Sequence, residues 1–157
     1  MQSDLLGEDA GVSAVGGDVI VCTAAAALNI GDGVFLSAAF TVNKSAVAGN
    51  QVLVCGVVVG GVPRAVADGT LEVNQRSGDI GLQAAAAGER VLVCIGGVCV
   101  VIADAAITVG AQVKLSVTVS GRVTTATVST DAGKILGKAF DAAAAAADKI
   151  RIIVSLG

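Results

Sequence analysis

The stretch Ala87-Gly88-Glu89-Arg90-Val91-Leu92-Val93-Cys94-Ile95-Gly96-Gly97-Val98-Cys99-Val100-Val101-Ile102 decides how the chain is read. Two apolar, β-branched runs flank Gly96-Gly97. A Gly-Gly pair in that setting predicts a β-hairpin, with one strand ending at Ile95 and the next starting at Val98. In such a hairpin Cys94 faces Cys99 across a non-hydrogen-bonded pair, where side chains lie close. A disulfide would fit there, whereas a chain made in a reducing cytosol keeps free thiols.

Working outward, Cys22, Cys55 and Cys94 each close a similar run: Val19-Ile20-Val21, Val52-Leu53-Val54 and Val91-Leu92-Val93. A cysteine recurring at a strand end reads as a small buried core residue. Zinc is not expected, because the chain has no histidine and no Cys-x-x-Cys spacing. Hydrophobic residues make up 54% of the 157 positions but aromatic ones only 2%, namely Phe35, Phe40 and Phe140. The core must therefore be built from Val, Ile, Leu and Ala, on many short strands joined by glycine turns.

Strands are expected at Val19–Cys22, Val34–Ser37, Phe40–Val42, Gln51–Val59, Gln112–Val119, Lys134–Phe140 and Lys149–Leu156. In Gln112–Val119, Val113, Leu115, Val117 and Val119 fall on one face, the period of a half-buried strand. The alanine run between Asp141 and Asp148 fits one or two helical turns capped by Asp141, or equally a loop lying flat on the sheet. Residues 1–14 read as an acidic, glycine-punctuated arm. Residues 64–79 are the most polar stretch and read as an exposed loop, with a strand conceivable at Thr70–Val73. Residues 15–157 form a single domain on this reading.

Segments echo one another. Ala46–Cys55 matches Ala85–Cys94, Leu28–Ser37 resembles Ile107–Ser116, and Gly81–Val93 resembles Gly137–Val154. Uneven spacing speaks against a solenoid. The expectation is an all-β, compact antiparallel β-barrel or β-sandwich with an internal pseudo-repeat and at most short helical turns.

The order of these motifs resembles that of the small head decoration, or cement, proteins of tailed bacteriophages. The residues that carry the likeness are Ala85–Val93, Gly97–Val101, Ile107–Gly110, Ile135–Ala139 followed by Ala142–Ala147, and Arg151–Leu156. They span most of residues 16–157. Two departures are the extra residue before Gly137 and the polar insertion at 64–79. The resemblance implies a virion protein made in the host cytoplasm. It would sit on the outer capsid surface at junctions between subunits of the same phage's major capsid protein, as a homo-oligomer, with a trimer favoured. A generic β-rich adhesion or assembly module is the alternative.

Catalysis is not expected. Without histidine, Ser-His-Asp and Cys-His arrangements cannot be built. The acidic residues Asp18, Asp32, Asp68, Asp79, Glu89 and Asp131 sit beside or near glycines, where turn chemistry accounts for them. No catalytic, cofactor-binding or metal residues are assigned, and no cofactor. A net charge of −3, with the ten basic residues scattered, speaks against nucleic acid. No apolar run is long enough for a membrane helix. The expected contacts are the arm, the 64–79 loop and unpaired strand edges.

Overall fold

The computed structural model describes residues 14–44, 46–62, 64–65, 71–72 and 80–156. The chain is all-β, mostly strand in mixed sheets with minimal helix. The strands are β1 (Ala14–Ala24), β2 (Leu28–Asn29), β3 (Gly33–Ala38), β4 (Thr41–Asn43), β5 (Val54–Gly61), β6 (Arg64–Ala65), β7 (Leu71–Glu72), β8 (Gln83–Ala85), β9 (Arg90–Ile102), β10 (Gln112–Leu115), β11 (Val123–Thr125), β12 (Ile135–Ala139) and β13 (Lys149–Val154). A 3-10 helix covers Ala48–Leu53.

The expected hairpin at Gly96-Gly97 is not there. β9 runs unbroken through both glycines, with Gly97 at a φ of +110°. The pair bends the strand instead of reversing it, for two reasons. First, a Cβ on Gly17 of β1 would collide with the Gly96 carbonyl, so the two backbones meet closer than side chains allow. Second, β9 changes partners here. Val91–Cys94 pairs with β5, and Gly97–Ile102 pairs with β13. β1 lies along both parts, with register shifts around Asp18. Cys94 and Cys99 therefore sit on one strand, on either side of the bend, and do not face each other across a turn. All four cysteines are buried free thiols.

The pairings return on themselves. β1, β4, β3, β5 and the start of β9 form one circuit, closed by β9 pairing with β1. The end of β9, β13, β12, β10 and β11 form a second, closed by the bridge between Ala103 and Val123. In each circuit one contact is parallel: β1 with β4, and Ala103 with Val123. The expected wholly antiparallel arrangement is corrected to that extent.

The two circuits are copies of each other. Val34 lies opposite Gly56 in the first, and Val113 opposite Gly137 in the second. Leu36 opposes Val42 as Leu115 opposes Val123. Cys22 opposes Val91 as Val101 opposes Ile150. Leu28 meets Ala85 as Ile107 meets Ala143. The Ala24 amide donates to the Glu89 carbonyl and the Ala103 amide to the Asp148 carbonyl, each at 2.8 Å. Each copy fills its own interior. Cys22, Leu28, Val34, Val42, Val58, Val91 and Val93 pack in the first. Val101, Ile107, Val113, Val123, Ala139, Ile150 and Ile152 occupy the matching places in the second. Of the three echoes in the sequence, Leu28–Ser37 with Ile107–Ser116 coincides with this correspondence. Ala46–Cys55 with Ala85–Cys94 does not, because Val52-Leu53 lies in the 3-10 helix and not in a strand.

Other boundaries moved for identifiable reasons. The strand expected over Gln51–Val59 begins only at Val54, since the buried Gln51 turns its amide to the Leu115 carbonyl at 2.5 Å. The alternation expected to Val119 stops at Leu115. The Ser116 hydroxyl turns the chain there by accepting from the Thr118 and Val119 amides. The alanine run forms no helix. Ala143 bridges to Ile107, and Asp148, rather than Asp141, gathers the Ala144 and Ala145 amides. β13 keeps strict alternation, with Ile150, Ile152 and Val154 buried.

Ala147 stands at a φ of +71° where the first copy has Gly88 at +84°. Left-handed backbone costs a residue with a Cβ about 1–2 kcal/mol. Glycine would remove that strain but carries about 0.5–1 kcal/mol more chain entropy to lose. Ala147→Gly is therefore expected to stabilise the protein by about 0.5 kcal/mol net, seen as a higher urea midpoint at unchanged slope.

Candidate functional site

The carboxylates hold turns together. Asp32 accepts the Asn29 amide at 2.8 Å and pairs with Lys44 at 3.0 Å. Glu89 accepts the Ala86 amide at 2.8 Å, as Asp148 accepts those of Ala144 and Ala145 in the second copy. Asp104 accepts the Ser116 hydroxyl at 2.5 Å. Asp131 is buried and takes the Lys114 ammonium at 2.8 Å, the Thr127 amide at 2.8 Å and Lys134 at 3.5 Å. Asp141 clasps Arg151 with both oxygens, at 2.7 and 2.8 Å, and the guanidinium lies 5.5 Å from the centre of the Phe140 ring.

These contacts leave a signature in acid. The hydrogen bond from Lys114, then that from Thr127, hold the Asp131 carboxyl below its ordinary range. The Arg151 side chain, then its amide, bring Asp141 down to about 2. Both groups titrate lower in the folded chain than in the unfolded one. Their stabilisation is therefore complete above the unfolded carboxylate range and is lost as pH falls through the folded values. Thermal melts are expected to hold a plateau near neutrality and drop as pH falls from about 4 toward 2. Asp131→Asn should shrink that drop.

All four thiols are buried, and three of them are shifted toward the neutral form. Burial, with the nearby Cys22 adding, pushes the Cys55 thiol up to about 11. The Cys99 thiol is raised first by its hydrogen bond to Cys94, then by burial, and the same bond lowers Cys94. Among the described residues no group of three or more Cys, Asp or Glu could hold a metal ion. No helix among them is long and apolar enough to cross a membrane.

The surfaces singled out in the sequence fare differently. Residues 1–13 lie outside the described residues, and Ala14 pairs with Cys99. Most of 64–79 also lies outside them. Within it, Arg64 pairs with Glu72 and Ala65 with Leu71, a short two-stranded ribbon that takes in part of the strand thought conceivable at Thr70–Val73. In the main sheet, among the described residues, few strand edges are open, whereas the two-stranded sheets β2–β8 and β6–β7 have outer edges with no strand beside them. Each of the nine strands in the main sheet has a neighbour on both sides over part of its length, that of β11 being the Ala103 bridge. Circuit closure thus consumes most edges of the main sheet and leaves those of the two short ribbons for the expected edge contacts.

Sequence reasoning missed the apolar end of the first copy. Leu36 is 41% exposed, and Phe40, in the turn from β3 to β4, is 74% exposed. Val52 and Leu53 of the 3-10 helix, which packs beside β3, are exposed as well. An aromatic residue in so aromatic-poor a chain was the available signal.

No protein-family model matches the chain, and no curated protein does. Among solved structures, the head fiber gp8.5 N base of bacteriophage phi29 is similar, with a TM-score of 0.47 and 10% identity over 88% of this chain and 93% of that one.

Proposed function

We propose that this chain is a structural virion protein. It binds the outer surface of a phage capsid lattice, bridges major capsid subunits where they meet, and associates with copies of itself. The observation that carries this reading is where the polar chemistry goes. Asp32, Glu89, Asp104, Asp131, Asp141 and Asp148 each lock a turn or a strand end of the frame. Such a molecule is built for rigidity, with its work done at surfaces. The motifs that resemble phage decoration proteins support it. Gly97–Val101 and Ile135–Ala139 lie on β9 and β12, strands of the two circuits, while Ala85–Val93 runs from β8 into β9 and Ile107–Gly110 leads into β10.

On this reading each circuit is a small β-barrel, and β9 is a stave common to both. Two barrels welded through one strand make a stiff plate, suited to clamping neighbours that would otherwise move apart. Affinity would come from interface area and polar complementarity repeated over many sites.

The test is to add purified protein to undecorated capsids and image them. Density at regular lattice positions is the expected result. Bare capsids at saturating protein would overturn the reading.

A further inference from the structure

We propose that the end of the first copy formed by Leu36 and Phe40 is the face through which one molecule packs on another. The proposal rests on the reading of the chain as a self-associating shell protein, and it names the surface.

The internal repeat shows what this face does when covered. In the second copy the matching residues are Leu115 and Gly121. Leu115 is 2% exposed. The first copy lies over it: Gln51 donates to its carbonyl at 2.5 Å, and a Cβ on Gly33 would press on its side chain. The Gly33 amide donates to the Gly121 carbonyl at 2.8 Å. Gly121 has no room for a side chain, because a Cβ there would strike the Asp32 carboxylate. Within the chain, then, this face is buried by another copy of the same fold.

In the first copy the same face is open, and its chemistry fits an interface. Phe40 takes the place of Gly121 and shares its left-handed backbone, at a φ of +49°. A phenylalanine there is unfavourable twice over. It strains the backbone, and it leaves an aromatic ring in water. Both penalties are offset if the ring is buried by a neighbour. Aromatic side chains are the usual anchors of such contacts.

The far end of the molecule decides the geometry. The surface of the first copy that covers the second includes Phe35 and Val57, both in the core shared between them. Their counterparts in the second copy are Lys114 and Lys138, the first paired with Asp131 and the second exposed. Where the first copy presents Phe35 and Val57, the second thus presents two lysines, with Phe140 nearby at 51% exposure. A head-to-tail contact would set the Leu36 and Phe40 face against these lysines, which favours two open faces meeting in a closed, symmetric assembly.

Phe40→Gly installs the residue of the covered copy, relieves the strain and leaves the frame intact. Leu36→Ser removes the second contact. Sedimentation of the full-length wild type and both variants, with thermal melts in parallel, tests the proposal. The wild type is expected to self-associate at tens of micromolar, roughly the range of a modest interface. Each variant should weaken association by about tenfold or more, with the Tm of Phe40→Gly unchanged or higher. Wild-type association in both variants would overturn this face while self-association stood. A wild type that stays monomeric at about 100 micromolar would overturn both. A lower Tm for Phe40→Gly without change in assembly would mean that the chain covers the face itself, which also overturns the proposal.

Discussion

Gly137→Ala is expected to destabilise the protein by about 3 kcal/mol, the upper end of overpacking costs, and to lower the urea midpoint accordingly. Gly137 lies in β12, beside β13. A Cβ built on it would overlap the carbonyl oxygen of Ile153, with the Ile153 carbonyl carbon and the Val154 Cα close behind. These are backbone atoms of the adjacent strand, so no side chain can swing aside. Relief would require parting β12 from β13 at the Gly137–Val154 pair. The first copy repeats the arrangement, with Gly56 against the Cys94 carbonyl. Gly56→Ala should therefore cost a similar amount. Gly88→Ala is the contrasting case. Its φ is positive but its surroundings are open, so only the backbone penalty of about 1–2 kcal/mol applies.

Ile152→Ala should cost about 4 kcal/mol, within the range for truncating a buried isoleucine. The side chain is fully buried in the second interior with Val101, Val113 and Leu136. What makes the variant informative is how the loss is distributed. β9 belongs to both circuits, and the first copy also roofs Leu115. The chain should therefore still unfold in one transition, with both halves losing protection together. Far-ultraviolet circular dichroism with hydrogen exchange reads this directly, since there is no tryptophan or tyrosine to report by fluorescence. Two separated transitions would mean that the halves are independent units.

What the sequence made legible follows the distance over which each decision is taken. β13 could be read because alternation is local. The Leu28–Ser37 and Ile107–Ser116 echo could be read because both copies bury the same positions. Gly96-Gly97 misled because a glycine pair serves a reversal and a bend equally well. The choice is made by Gly17, far away in the chain, pressing against the Gly96 carbonyl. Val52-Leu53 looked like strand, but Gln51 is held by Leu115 of the other copy. The alanine run has the propensity for helix, yet Ile107 and Asp148 hold it open as a loop. The candidate interaction face was half legible: the rarity of Phe40 showed, while its backbone strain and its kinship with Gly121 needed the fold.

The strand common to both circuits also has a meaning in time. During synthesis the first circuit has all its strands once Cys94 is free of the ribosome, whereas the second waits for Val154. When Val98 and Cys99 emerge, their partners Val15 and Ala14 have already been synthesised, at the end of a β1 whose later residues belong to the first circuit. The later half is thus laid down on a template that its predecessor holds out. The loop-closure entropy that makes such non-local β folds slow is met in two smaller instalments rather than one.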